Sequence, residues 1–253
     1  LELLAVLQYF SQSKMVCRDK NAYTEAIESW FAPFCEHPVF GLLSSMEEGG
    51  YAYDLPVASF LRYADIYCRE LSYHWERSYD EMNLERLKYI AESGQLELFY
   101  SLVGEYARLS DFEGFWESQR DYYQERIDHI YNALEGHPDM ISHMCGWYGY
   151  SFAGFALTLS PLVLGGYGPA VIDAGGGNHA YCVVSSDLKI SDLRERIDLS
   201  SWLFHEFSHS FVNPLVDQYW EVLRIGEHLY EPVAEKMREQ AYSNWWIMVA
   251  EHF

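Results

Sequence analysis

Two histidines and a glutamate near the end of the chain have the residue types and spacing of a metal-dependent hydrolytic site. They lie in the run His205-Glu206-Phe207-Ser208-His209, which has the pattern H-E-x-x-H. Residues four positions apart on a helix share one face, one turn from each other. The two imidazoles can therefore bind one Zn²⁺ ion at about 2.0–2.1 Å each. Glu206 lies beside them and can accept a proton from a water whose pKa the metal lowers towards about 7.

A catalytic zinc ion needs a third protein ligand and keeps one position open. The residues that follow His209 supply no further histidine, so a carboxylate from a later helix is expected. Glu251 is favoured because it follows an apolar run, where a buried carboxylate needs a cation. Glu231 is the next choice, and His228 is a weaker one. The other acidic residues that stay open as ligands are Asp217, Glu221, Glu227, Glu235 and Glu239.

These side chains must be positioned by two helices and a small sheet. The sequence predicts a metal-binding helix over residues 199–212, capped by Asp198 and ended by Asn213-Pro214. A helix over residues 244–253, with Ser243 as its N-cap, carries Glu251. Residues 169–173 and 180–185 flank a glycine-rich turn and predict a β-hairpin or two sheet strands, with a third strand within residues 150–164.

The first 145 residues are predicted to be mainly helical. The predicted helices cover residues 1–11, 24–34, 55–79, 84–91, 96–109 and 111–134, the last of them capped by Asp111. This organisation predicts a helical N-terminal region over residues 1–145 and a catalytic region over residues 146–253, packed as one unit. The fold class is therefore α+β, predominantly helical, with a small sheet next to the H-E-x-x-H helix.

The run from His205 to Pro214 resembles the active-site helix of an uncharacterised family of bacterial zincin-like proteins, known as a domain of unknown function and regarded as metallopeptidases. The shared pattern is HEFxHSFVNP, and the resemblance continues to Glu251. It also includes Glu231-Pro232-Val233, Met237, Gln240-Ala241-Tyr242 and Trp245. This resemblance implies a gluzincin-type arrangement, in which His205, His209 and Glu251 hold zinc and Glu206 is the base.

A peptidase also needs an electrophile that stabilises the oxyanion formed at the scissile carbonyl. Tyr242, nine residues before Glu251, is the candidate, although most of the 21 tyrosines must have other roles. Zincins commonly bind the substrate backbone along a strand edge that precedes the metal helix. Residues 180–185 occupy that place in the sequence, and His179 beside them is a further residue that could reach the cleft.

Composition excludes several other classes of function. The chain has 253 residues, 38 acidic against 17 basic side chains, a net charge of -21 and 17% aromatic residues. Disorder is excluded by the aromatic content, and binding to nucleic acid or to an anionic membrane surface is disfavoured by the charge. No apolar run reaches the roughly 20 residues of a membrane-spanning helix. The charge is compatible with basic or neutral substrates.

Five widely spaced cysteines without a C-x-x-C pair fit neither a cysteine zinc site nor a disulfide scaffold. The chain begins with Leu1 and ends within an apolar run, which we interpret as trimmed ends. Such ends are compatible with an exported protein, whether periplasmic, surface-anchored or extracellular, that has lost a signal peptide or lipid anchor.

The sequence thus predicts a zinc metallopeptidase that acts on a peptide or protein substrate, with Glu206 as the general base. One alternative is a non-catalytic zinc-containing protein whose aromatic residues line a groove for a peptide or glycan. Another is a purely structural zinc, or no metal at all. The sequence does not set the cleavage specificity or the oligomeric state.

Overall fold

A computed structural model of the protein describes residues 1–61, 89–90, 92–135, 139–173, 177–188 and 190–252. Most of the predicted helices over residues 84–91 and 55–79 lies outside these ranges, and so does most of the glycine-rich turn at 175–177. Within the described residues the protein is mostly helical and contains a three-stranded sheet. The α+β class predicted from the sequence is confirmed at this level.

Helices form the first part of the chain, as predicted. They are α1 (Glu2–Phe10), α2 (Ala22–Phe31), α3 (Pro38–Glu48), α4 (Asp54–Leu61), α5 (Gln95–Leu109), α6 (Phe112–Ser118), α7 (Arg120–Leu134) and α8 (Met140–Tyr148), with a 3-10 turn at Ala32–Phe34. The predicted helix over residues 111–134 is in fact two helices that separate at Gln119. Asp111 caps the first of them by accepting a hydrogen bond from the backbone N–H of Gly114.

The sheet has the strand order β1-β3-β2. Its strands are β1 (Gly154–Ser160), β2 (Gly166–Asp173) and β3 (Asn178–Ser185). β2 and β3 form the predicted antiparallel hairpin, and β1 pairs with β3 in parallel. Both edges of β3 are therefore occupied by neighbouring strands, while β2 is an edge strand. The register of β2 shifts between Tyr167 and Ala170, which marks a bulge.

The rest of the chain is again helical. It comprises α9 (Leu193–Gln218), α10 (Trp220–Leu223), α11 (Ala234–Glu239) and α12 (Trp245–His252), with 3-10 segments at Arg224–Leu229 and Glu231–Val233. Two predicted boundaries of the metal-binding helix are wrong. Asp192 rather than Asp198 caps α9, by accepting a hydrogen bond from the N–H of Glu195 at 2.9 Å. The helix also continues through Pro214.

Continuation of α9 beyond Pro214 has a packing reason. Val212 and Val216 lie one turn apart on either side of the proline, and both are buried in one cluster with Ala250 of α12. Burial of these two valines compensates for the one backbone hydrogen bond that a helical proline removes. α12 is capped by Asn244 rather than by the predicted Ser243, because the Asn244 side-chain oxygen accepts from the N–H of Ile247 at 2.9 Å.

The sheet is packed between helices on its two faces. On one face Val183 is buried against Leu4 of α1 and Val57 of α4. On the other face Cys182 is buried against Leu203 of α9. The alternation of side chains along β3 thus joins the N-terminal helices to α9 through one sheet. Within the ranges given above, no helix is both long enough and apolar enough to cross a bilayer.

Candidate metal centre

α9 presents the two histidines of the motif on a different side from the one buried in the core. Leu203 and Phe207 of the same helix are buried in the core that it forms with the sheet. The rings of His205 and His209 lie one turn apart, with centroids separated by 4.8 Å. Their side chains are 44% and 13% exposed, so that one is open to solvent and the other is nearly enclosed.

Glu251 of α12 faces both imidazoles. Its Oε2 lies 3.3 Å from Nε2 of His205, and its Oε1 lies 3.8 Å from Nε2 of His209. The three residues form a group in which one ligand atom from each lies within 4.8 Å of the others. Two ligands at about 2.0–2.1 Å from a tetrahedral zinc ion are about 3.4 Å apart, so these spacings fit the donor set of a zinc site.

Three contacts hold α12 in this position. The indole N–H of Trp246 donates to Asp217 of α9 at 2.8 Å, and that of Trp245 donates to the carbonyl of Leu223, also at 2.8 Å. Ala250, next to Glu251, packs against α9. The apolar run of α12 is half-buried rather than fully buried, with one side packed on α9. Glu251 lies on that side.

The nearly enclosed histidine has a partner for its other ring nitrogen. Nδ1 of His209 lies 3.3 Å from the side-chain oxygen of Asn213, one helical turn later. An amide oxygen only accepts, so in this contact Nδ1 donates, and Nε2 is the ring nitrogen left to bind a metal. This is the arrangement in which an outer hydrogen bond orients a metal-binding histidine.

Glu206 is buried, with 7% of its surface exposed. Its Oε1 accepts a hydrogen bond from the indole N–H of Trp202 at 2.9 Å. Gly166 of β2 packs directly on the side chains of Glu206 and Trp202. A Cβ at that position would lie 2.7 Å from Trp202 and 2.9 Å from the Glu206 carboxyl, so only glycine fits here without a rearrangement.

The surroundings shift the pKa values of these groups in directions that depend on burial and charge. Burial raises the pKa of Glu206. The hydrogen bond with Glu251 raises the pKa of His205. For Glu251 itself, burial raises the pKa, but the hydrogen bond from His205 and the charges of both histidines outweigh it, and the net shift is downward.

A cleft of about 300 Å³ contains the whole group. Tyr242 lines it, as its predicted role requires, and burial followed by the charge of Glu251 raises the pKa of its hydroxyl. The N-terminal region contributes a second wall through Ala52, Tyr53 and Asp54. The sequence did not indicate that these residues reach the site, since more than 150 residues separate them from the motif.

The other predicted ligands lie elsewhere. Glu231 and His228 are exposed in the 3-10 segments, and Asp217 accepts the hydrogen bond from Trp246. Glu221, Glu227, Glu235 and Glu239 are exposed as well. The sequence alone could have indicated Trp202 and Asn213, each four residues from the side chain it contacts. Gly166 gave no such signal.

The expectation about the substrate strand is wrong. Residues 180–185 belong to the central strand β3, whose backbone is paired on both sides, so no substrate can extend the sheet there. Gly166, in the edge strand β2, lies in the cleft instead. His179 does not line the cleft; its ring lies over Gly154 of β1.

Comparison with known proteins identifies the family. The chain belongs to the family described as domain of unknown function (DUF4932), whose model matches residues 3–253. No match was found among curated proteins or among solved structures. The family assignment carries no activity, so the chemistry of the site has to be argued from its residues.

Proposed function

We propose that this protein is a zinc-dependent peptide hydrolase. The observation that carries the proposal is the convergence of three donor side chains from two helices at a cleft. His205, His209 and Glu251 offer two nitrogens and one carboxylate within 4.8 Å of one another. The Glu206 carboxyl lies on α9, the helix that carries both histidines. A hydrolytic zinc site of this type has two histidines and one carboxylate as protein ligands and keeps one coordination position open.

His205, His209 and Glu251 would hold the zinc ion, which would supply a water of lowered pKa and polarise a carbonyl oxygen. Glu206 accepts the proton of the attacking water and later delivers it to the leaving nitrogen. Trp202 and Gly166 fix the carboxyl of Glu206, because the indole N–H binds one oxygen and the strand leaves no room to turn. The hydroxyl of Tyr242 donates a hydrogen bond to the oxyanion that forms at the scissile carbonyl.

An extended peptide fits the geometry of the cleft better than a compact ligand does. The cleft has an edge strand, β2, along one side and α12 along the other, and peptides commonly bind by adding to a free strand edge. A peptide added along this edge would pass the side chains of the candidate site, because Gly166 lets the strand lie close to Glu206. This placement favours peptide-bond hydrolysis over other hydrolytic reactions.

The test begins with zinc stoichiometry and digestion of a mixed peptide library, with and without a chelator. We expect one zinc per chain and chelator-sensitive cleavage. Glu206→Gln should keep the zinc and lose about 100-fold or more in kcat, because general acid–base catalysis contributes about 10²–10⁴-fold. Glu97→Gln, at an exposed position on α5, is the matched control and should cleave like wild type.

Two results would contradict the proposal. Wild-type turnover in Glu206→Gln excludes this residue as the base. One zinc per chain without any cleavage favours the alternative of a non-catalytic zinc-containing protein that binds a peptide or glycan. His205→Ala should lose zinc in either case, whereas His228→Ala, at an exposed histidine, should retain it.

A further inference from the structure

The segment that leads from α9 to α11 exposes a group of large apolar side chains. Each of them is at least 36% exposed, and Ile225 reaches 74%. We call this group the outer stripe, and it consists of Leu215, Tyr219, Val222, Ile225, Leu229 and Val233. Single apolar residues on a surface are ordinary, whereas a contiguous group of them marks an interaction site.

Regular spacing places the outer stripe along one side of this segment. Its successive members are three or four residues apart, which is the spacing of neighbours on a helix face. The backbone keeps helical turns between them. The N–H of Tyr219 donates to the carbonyl of Leu215 at 3.0 Å, and that of Val222 donates to the carbonyl of Tyr219 at 2.9 Å. α10 and the two 3-10 segments continue these turns as far as Val233.

The segment packs on the rest of the protein through other side chains. Val216 is buried, and Trp220 and Leu223 pack against the same cluster together with Val249 of α12. Each of these three packed residues lies one position after a member of the outer stripe. The core contacts of the segment are therefore made without the stripe. The stripe is also separate from the cleft, which other residues line.

Carboxylates accompany the outer stripe. Residues 215–235 include five acidic residues and a single arginine. That arginine, Arg224, pairs with Glu221 of α10 at 2.6 Å. Further carboxylates are exposed at Glu227 and Glu231. Because this surface combines apolar side chains with negative charge, the surface that complements it is apolar and positively charged.

We propose that the outer stripe docks a basic amphipathic helix of another protein, with apolar side chains at helical spacing and lysine or arginine beside them. Helix recognition commonly uses apolar anchors at positions i, i+3, i+4 and i+7. Charge argues against two other occupants. A second copy of this chain would add another net charge of -21, and an anionic membrane surface would repel the carboxylates. The proposal is independent of the proposed function, because the stripe contains none of the candidate metal ligands.

The probe is a fluorescein-labelled peptide of leucine and lysine, with its leucines at helical spacing. It is titrated into the full chain and followed by fluorescence anisotropy. One control peptide has the same composition in scrambled order, and a second replaces every lysine by glutamate. We expect the helical leucine–lysine peptide to bind more tightly than both controls, because only this peptide matches the stripe in spacing and in charge.

The variant Val222→Ser/Ile225→Ser should weaken binding of the helical leucine–lysine peptide about 10-fold or more, because burial of one such side chain is equivalent to about a tenfold change in affinity. Both residues are exposed, so the unfolding temperature should stay at the wild-type value. Leu98→Ser/Ile127→Ser, at exposed positions of α5 and α7, is the matched control and should leave the affinity unchanged.

A second pair of variants tests the charge. Glu227→Gln/Glu231→Gln should weaken binding about threefold and reduce its dependence on salt. Glu97→Gln/Glu105→Gln removes the same number of charges from exposed positions on α5 and should bind like wild type. Equal losses in both charge variants would show attraction by the net charge of the chain alone and would overturn the proposal.

Other results overturn the proposal as well. Equal affinity for the helical and the scrambled peptide, or wild-type affinity in Val222→Ser/Ile225→Ser, removes the stripe as the docking surface. Sedimentation that shows a dimer in the wild type and a monomer in this variant assigns the stripe to a second copy. Flotation with neutral phosphatidylcholine vesicles that depends on the same two residues assigns it to a membrane surface.

Discussion

The substitution Gly166→Ala tests the position of the proposed base without changing the proposed metal ligands. A Cβ at this position would lie 2.7 Å from Cζ2 of Trp202 and 2.9 Å from Oε1 of Glu206. Ordinary contacts begin at 3.4 Å, so the side chains or the strand must move by about 0.5–0.7 Å. Overpacking of this kind costs about 1–3 kcal/mol. A shift of about 1 Å in a catalytic group can cost about 100-fold in rate.

We therefore expect Gly166→Ala to lower kcat about 10- to 100-fold and the free energy of unfolding by about 1–3 kcal/mol. Its zinc content should stay at the wild-type value, because the nearest neighbours of the new methyl group are Trp202 and Glu206 rather than the metal ligands. The assays are peptide cleavage, metal analysis and urea unfolding.

Gly41→Ala is the matched control. Gly41 lies in α3, where an added Cβ meets no atom within 4 Å. Alanine there should raise stability by about 0.5–1 kcal/mol, the opposite sign from position 166. Wild-type stability in Gly166→Ala would refute the close approach of strand and helix. Reduced stability with wild-type kcat would instead show that the carboxyl beneath this glycine is not the base.

Two further changes test the outer contacts of the site and the core. Asn213→Ala should weaken zinc binding about 10- to 100-fold, because it removes the partner that orients His209. Competition with a chromophoric chelator measures the zinc affinity. Asn132→Ala, at an exposed asparagine of α7, is the control and should leave that affinity unchanged. Burial raises the pKa of Glu2, although the hydrogen bond from Tyr23 opposes the rise. The folded protein therefore favours the protonated carboxyl, and the free energy of unfolding falls as the pH rises towards the raised pKa. Glu2→Gln should therefore raise the free energy of unfolding more at pH 7 than at pH 4, and an equal effect at both would contradict the buried charge.

The sequence alone predicted the parts of the site that depend on local spacing. Residues four apart on a helix face the same way in any fold, so the pairing of His205 with His209 followed from the pattern and a helical context. The coarse α+β class and the β2–β3 hairpin followed from periodicity and turn residues in the same way. Glu251 was preferred from its apolar neighbours, and the structure does place its carboxylate beside both histidines.

Helix boundaries were less predictable, since they depend on packing between distant segments. Pro214 is a local signal for the end of a helix. The helix continues through it because Val212 and Val216 are buried against Ala250. The same limit applies to the sheet. Alternation predicted a strand at residues 180–185, but only the pairing of β3 with both β1 and β2 made it central and unable to bind a peptide at its edge.

The second wall of the cleft was decided by the tertiary structure alone. Tyr53 and Asp54 reach the candidate site because α4 and α9 both contact the edge strand β2 from opposite faces of the sheet. Gly166 lies over Glu206 because the edge strand crosses α9 at that residue. Local sequence determines which side chains share a helix face, whereas contacts across the sheet depend on long-range packing that no local pattern encodes.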